Sequence, residues 1–139
     1  MSQPTLLGSW KLVSFELELR NSKERQRPFG ANPNGYLILG SDGRMMTLIT
    51  AKARTPGQTD SEVVALFRTM MSYTGRYRIE GERFITKVDA SWNEAWTGSE
   101  QARFFKIDGD RLAIISDWAP SATLPDARMV RAILAWERA

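Results

Sequence analysis

Residues 8–16 read Gly8-Ser9-Trp10-Lys11-Leu12-Val13-Ser14-Phe15-Glu16. A glycine, a lone indole two positions on and then an alternating run are an odd way to begin a strand, because tryptophan is large for the first turn of an element. The reading that fits is a plug: Trp10 stoppers one end of a closed barrel, and the rest of the chain supplies the walls. The strand itself extends from Leu6 to Leu19. One face carries Trp10, Leu12, Ser14 and Glu16; the other carries Val13, Phe15, Leu17 and Leu19. Both faces are partly apolar, so the alternation is imperfect.

Further strands follow. Gly35 to Leu39 is short and runs into the tight turn Ser41-Asp42-Gly43-Arg44, since Asp-Gly favours positive φ at a hairpin. Arg44 to Ala51 returns, with Met45, Thr47 and Ile49 on one side. After a loop at 52–58, Thr59 and Glu62 match a capping box. Val63, Leu66, Phe67, Met70 and Met71 then recur at helical spacing, an apolar stripe that needs a surface to cover. Tyr73 to Glu80 and Arg83 to Ala90 form a hairpin about Gly81-Glu82. A loop at 91–98 bears Trp92 and Trp96. Glu100 to Ile107 and Arg111 to Trp118 flank the turn Asp108-Gly109-Asp110. A proline-bounded loop at 119–127 leads to a last strand from Arg128 to about Glu137. The expected fold is therefore all-β: an up-and-down antiparallel barrel of about eight strands with one helix after the third strand. A sheet of that width curls closed or splits; closure removes both edges, and the first and last strands pair to shut it. No repeat, linker or low-complexity tract divides residues 1–139, so one domain is expected.

Composition narrows the chemistry. At 139 residues with 42% hydrophobic side chains the chain can bury a sizeable core. It contains no cysteine and no histidine, which excludes disulfides, thiolate chemistry, a Ser-His-Asp triad and His- or Cys-based metal sites. No Asp/Glu-rich loop has the spacing of an oxygen-ligated metal site, and no cofactor is expected. The net charge of +3 comes from 19 basic residues interleaved with acids, so nucleic-acid binding is not expected; the dense patch Arg20 to Arg27 reads as a solvated hairpin loop. Met1 to Leu7 lacks the pattern of a signal peptide, and no run is long and apolar enough to span a bilayer. The expected location is the cytoplasm.

The ordered motifs resemble the bacterial lipocalin-like domain family of the calycin superfamily. They are Gly8-Ser9-Trp10 with its Lys-Leu-Val-Ser-Phe-Glu16 continuation, Pro33-Asn-Gly35-Tyr-Leu with the Asp42-Gly43 turn, Tyr73-Thr-Gly75-Arg-Tyr77, Trp96-Thr-Gly98, Gln101-Ala-Arg103-Phe-Phe105, and Trp136-Glu-Arg138 at the end. The likeness covers nearly the whole chain. It implies an up-and-down barrel with an internal cavity and implies no particular ligand. It also implies an arginine of the last strand laid across the Trp10 ring. Arg131 is the expected residue, because it shares parity with Ile133 and Ala135.

By parity, Tyr73, Tyr77, Phe84, Arg103, Phe105, Ile114 and Trp118 are candidates to face one interior, either as a filled core or as the lining of a ligand cavity. Met45, with the adaptable side chains of Met46, Met70 and Met71, is a further candidate lining residue. An inward Arg103 needs a partner. Two remain open: Glu16, on the Trp10 face of the first strand, or the carboxylate of an anionic ligand. Trp92 and Trp96 mark either the cavity mouth or a subunit contact. Three functions follow: a barrel binding a small hydrophobic or amphipathic molecule; an isomerase or cyclase using Glu16, Tyr77 or Arg103; or an interaction protein, such as a homodimer, with a filled barrel.

Overall fold

The structure, a computed structural model, describes residues 5–121 and 128–139. Of the loop expected at 119–127, residues 122–127 lie outside the described residues, as do residues 1–4 at the start. Among the described residues the strands are β1 (Gly8–Leu19), β2 (Arg25–Gln26), β3 (Asn34–Leu39), β4 (Arg44–Thr50), β5 (Met70–Glu80), β6 (Arg83–Ser91), β7 (Glu100–Asp108), β8 (Arg111–Ser116), β9 (Ala119–Pro120) and β10 (Met129–Arg138). A helix, α1 (Asp60–Arg68), follows β4, and a single 3₁₀ turn spans Glu94–Trp96. Eight of the strands are long, and β4 is the third of these. They pair as antiparallel neighbours in chain order, and β1 pairs with β10 from Trp10↔Arg138 to Leu19↔Val130, closing the sheet. This is the all-β up-and-down barrel expected from the sequence.

The two ends of the barrel differ. The tight turns β3–β4, β5–β6 and β7–β8 sit at the end where Trp10 lies, together with the start of β1 at Gly8 and the end of β10 at Arg138. The longer connections, 20–33, 51–69 and 92–99, crowd the opposite end, with residues 117–121 beside them. Trp10 is fully buried, and its indole Nε1 donates to the Leu6 carbonyl at 2.9 Å. Leu39, Met45, Val88 and Leu112 are buried with it and fill the lower barrel.

Two sequence expectations are corrected here. First, the register of β1 against β10 shifts between Leu12 and Ser14, a β-bulge with Val13 as the extra residue. A bulge places two residues opposite one and so resets the alternation. The inward set becomes Trp10, Leu12, Phe15, Leu17 and Leu19, all buried, and Glu16 faces outward. Second, α1 ends at Arg68; Met70 and Met71 open β5, where they pair with Thr50 and Ile49. The start of the helix is as read: Thr59 Oγ1 accepts from the Glu62 amide, while the Glu62 carboxylate accepts from the Thr59 amide at 3.1 Å. The apolar stripe finds no deep surface, because no residue of α1 is buried.

Candidate functional site

Above the filled floor the barrel holds a cavity of about 1080 Å³, at the upper end of the range for small-molecule sites. Its walls are inward side chains of consecutive strands: Phe15 and Leu17 of β1, Leu37 of β3, Thr47 and Ile49 of β4, Tyr73 of β5, Phe84 of β6, Arg103 of β7, Ile114 of β8, and Ala132, Leu134 and Trp136 of β10. Its rim is built from the long connections: Phe29, then Val64 and Phe67 of α1, then Trp92 and Trp96. Val64 and Phe67 are about half exposed, 46% and 50%, so the cavity opens at the end opposite Trp10.

The rim aromatics are fixed by ring contacts. Trp96 lies 5.2 Å from Tyr73 and 5.0 Å from Trp92, ring centre to ring centre, the second pair edge to face. Phe29 meets Phe15 edge to face at 4.8 Å. Trp92 and Trp96 both line the cavity.

Arg103 is the polar feature of the wall. It pairs across β6 with Phe84 and across β8 with Ser116, both cavity-lining positions. Its guanidinium donates to the Ala102 carbonyl at 2.9 Å and to Gln101 Oε1 at 3.2 Å, and stands 5.7 Å over the Trp96 ring. No carboxylate lies within ion-pair distance of it among the described residues. The candidate partner, Glu16, is on the outer surface, where it pairs with Arg25 at 3.2 Å and Arg27 at 3.5 Å. Glu100, at the rim, is taken by Arg78 at 2.7 Å, and that hydrogen bond holds its carboxyl below the usual carboxylate range. The other rim groups that carry charge are Arg68 and Asp117, both exposed.

The remaining candidates are distributed as follows. Tyr73, Phe84, Arg103 and Ile114 line the cavity together; Tyr77, Phe105, Met45, Trp118 and Glu16 do not. Tyr77 is below it, donating its hydroxyl to the Gly40 carbonyl at 3.0 Å, and burial raises its pKa. Met45 is buried in the floor, and Phe105 meets Phe84 edge to face at 6.2 Å. Trp118 is held outside the wall by Arg131 at 4.7 Å and Arg20 at 5.9 Å. Arg131 itself pairs with Glu18 at 3.0 Å, directly across from it on β1. The arginine over Trp10 is Arg138, 3.8 Å from the ring centre, which also donates to the carbonyls of Leu7 and Thr5 at 2.6 Å each. Arg138 is the cross-strand partner of Trp10, whereas Arg131 lies at the other end of β10 on the outward parity.

Sequence reading passed over Phe29, Val64, Phe67 and Trp136 as lining. Phe29 follows a polar loop and carries no periodicity. Trp136 had a signal: it shares parity with Arg138 and Leu134, and it pairs with Leu12 on the inward face.

Among known proteins, the chain is similar to a solved structure, an uncharacterized protein from Bacteroides eggerthii, at 10% identity, over 97% of this chain and 100% of that one, with a TM-score of 0.49. No curated protein matches it. The family model for the lipocalin-like domain matches residues 7–139, every strand of the barrel included. The chain belongs to the lipocalin-like domain family.

Proposed function

We propose that this barrel binds a small amphipathic molecule, an apolar chain or ring bearing an acid group, with the apolar part in the upper barrel and the acid on Arg103. The observation that carries the reading is a cavity-lining guanidinium whose neighbours are an amide oxygen, a carbonyl and an indole face, with no carboxylate paired to it among the described residues. A cation at an apolar wall is stabilised most by an anion with hydrogen-bonding oxygens. The walls are mostly hydrocarbon and aromatic, as a fatty or aryl acid requires, with most of the polar side chains gathered towards the rim. A binding role fits better than an isomerase or cyclase role, because two of the three suspected catalytic groups are engaged away from the cavity, Glu16 outside with Arg25 and Tyr77 with the Gly40 carbonyl, which leaves Arg103 with no carboxylate in ion-pair distance among the described residues. The volume of the cavity weighs against a filled barrel acting only through its outer surface.

Arg103→Met keeps most of the side-chain volume and removes the charge. Titration calorimetry with dodecanoate and with an aryl acid should show binding to the wild type and a loss of about ten- to hundredfold in the variant, the worth of one charge-assisted hydrogen-bond pair. Wild-type protein that shows no heat and no thermal shift with either acid, and that leaves its own host with a homogeneous unliganded mass by native mass spectrometry, would overturn the proposal.

A further inference from the structure

We infer that two copies of this chain pair through the outer face of β3 and β4. Along both strands every second residue is buried, and the residues between them are turned to the outside. The large side chains on that outside are Tyr36 and Ile38 of β3 and Met46 and Leu48 of β4, each between 47% and 52% exposed. They are cross-strand neighbours, Tyr36↔Leu48 and Ile38↔Met46, so they form one apolar block. A half-buried antiparallel strand ordinarily turns polar residues outward, and a contiguous exposed apolar patch marks an interaction surface. The next strands follow the ordinary rule: Arg76 and Arg78 of β5 and Lys87 and Asp89 of β6 are exposed.

Topology, charge and area point to a second copy as the occupant. β3 lies between β1 and β4, and β4 between β3 and β5, so neither strand offers a free edge to which an extended peptide adds. Whatever covers the block meets it face to face, as two sheets pack. Beside the block stand neutral side chains, Ser9 opposite Ile38, Ser72 opposite Leu48 and Thr74 opposite Met46. The charges beyond them are balanced. On one flank Lys11 lies opposite Glu137, and on the other Arg44 holds Asp89 at 2.8 Å. Such a border gives a strongly acidic or basic partner nothing to select, whereas a second copy brings no excess of like charge against it. The block exposes on the order of 400 Å², the size of the largest apolar patch on an ordinary monomer. With its neutral neighbours it approaches the roughly 800 Å² that each partner gives to a standard interface. A two-fold contact uses this one face twice and needs no other surface. The cavity takes Leu37, Thr47 and Ile49 from the opposite side of the same strands, so pairing leaves its mouth free, and the inference stands apart from the acid-binding reading.

Sedimentation velocity of the wild-type chain from about 1 to 200 μM tests this, the range in which an interface of this size associates. The sedimenting mass should rise with concentration from 15.7 kDa towards twice that value. Met46→Glu and Ile38→Lys, both at exposed positions, should each weaken association by at least about tenfold. Phe104→Lys, at an exposed apolar position on β7, should leave it unchanged. A second readout needs no variant. In the wild type at high concentration, a soluble paramagnetic agent should broaden the methyl resonance of Met129, 37% exposed, more than that of Met46, which is 52% exposed in the single chain. A mass that stays at 15.7 kDa throughout overturns the inference. So does a dimer that both β3–β4 variants leave intact, one that Phe104→Lys weakens equally, or one in which Met46 remains the more broadened methyl.

Discussion

Trp10 and Arg138 make the stopper of this barrel, and the pair explains the residues around it. Gly8 has φ of +113°, a conformation that side chains rarely adopt, and a Cβ there would sit 3.0 Å from the Arg138 guanidinium. The glycine thus lets the arginine lie flat over the ring, 3.8 Å from its centre, with its remaining donors on the Leu7 and Thr5 carbonyls. Removing the indole leaves a cavity that the floor cannot close, so Trp10→Ala should lower stability by about 3–5 kcal/mol. Arg138→Ala should cost about 1–3 kcal/mol, from a cation–π contact and two charge-assisted hydrogen bonds in a partly exposed place. Urea unfolding followed by circular dichroism measures both. An Arg138 variant with an unchanged midpoint would show that closure does not depend on the guanidinium.

At the scale of the element, the bulge in β1 has the widest consequences. Val13 is the extra residue, placed just past the last pair that β1 makes with β3, Lys11↔Tyr36, and within its ladder with β10. Leu12 and Phe15 both point inward on either side of it. Deleting Val13 therefore leaves an unbroken inward–outward alternation and should preserve the fold, at the expense of the local bend. Deleting Glu16 instead makes Phe15 and Leu17 adjacent, so one half of the strand must turn its apolar face to water; that variant should not fold. Thermal melts of the two deletions decide the matter, and equal behaviour would mean the bulge does not set the register. The same residue decides the site: because Val13 shifts the parity, Glu16 sits outside with Arg25 and Arg27, and it does not reach Arg103 in the cavity wall.

Across the described residues, most charged side chains lie at the surface, and few groups have a pKa moved by their surroundings. Asp89 accepts two hydrogen bonds from Arg44, at 3.1 and 2.8 Å, and Glu100 pairs with Arg78; each arginine holds its carboxyl below the usual range. A carboxylate with a depressed folded pKa contributes stability above its unfolded value, near pH 4, and the contribution is lost as pH falls through the lower, folded value. Tyr77 is shifted the other way, upward, first by burial and then by Asp42. Its contribution is present below the unfolded value, near pH 10, and is lost as pH rises through the folded one, when the phenol can no longer donate to Gly40. With no histidine in the chain, no imidazole titrates between these limits. The melting temperature should form a plateau from roughly pH 5 to 9 and fall on both sides, with the alkaline fall reduced in Tyr77→Phe. A step near neutral pH, or an alkaline limb identical in the variant, would contradict this assignment.

The sequence by itself determined the barrel. Strand periodicity, the Asp42-Gly43 and Gly109 turns, the Thr59–Glu62 capping box and the Trp10 plug are local signals, because turns, caps and alternation are set by neighbours along the chain. It also placed Tyr73, Phe84, Arg103 and Ile114 on the inner face, since parity within a regular strand needs no partner to read. Only the tertiary structure decided what is opposite what. The bulge at Val13 becomes visible in the ladder with β10, and the pairing Trp10↔Arg138 comes from register over most of the chain length. Phe29 and α1 form the rim through contacts between loops. Register, closure and loop contacts are long-range matters in which the energy belongs to pairs of distant residues, and a run of letters read one strand at a time does not contain those pairs.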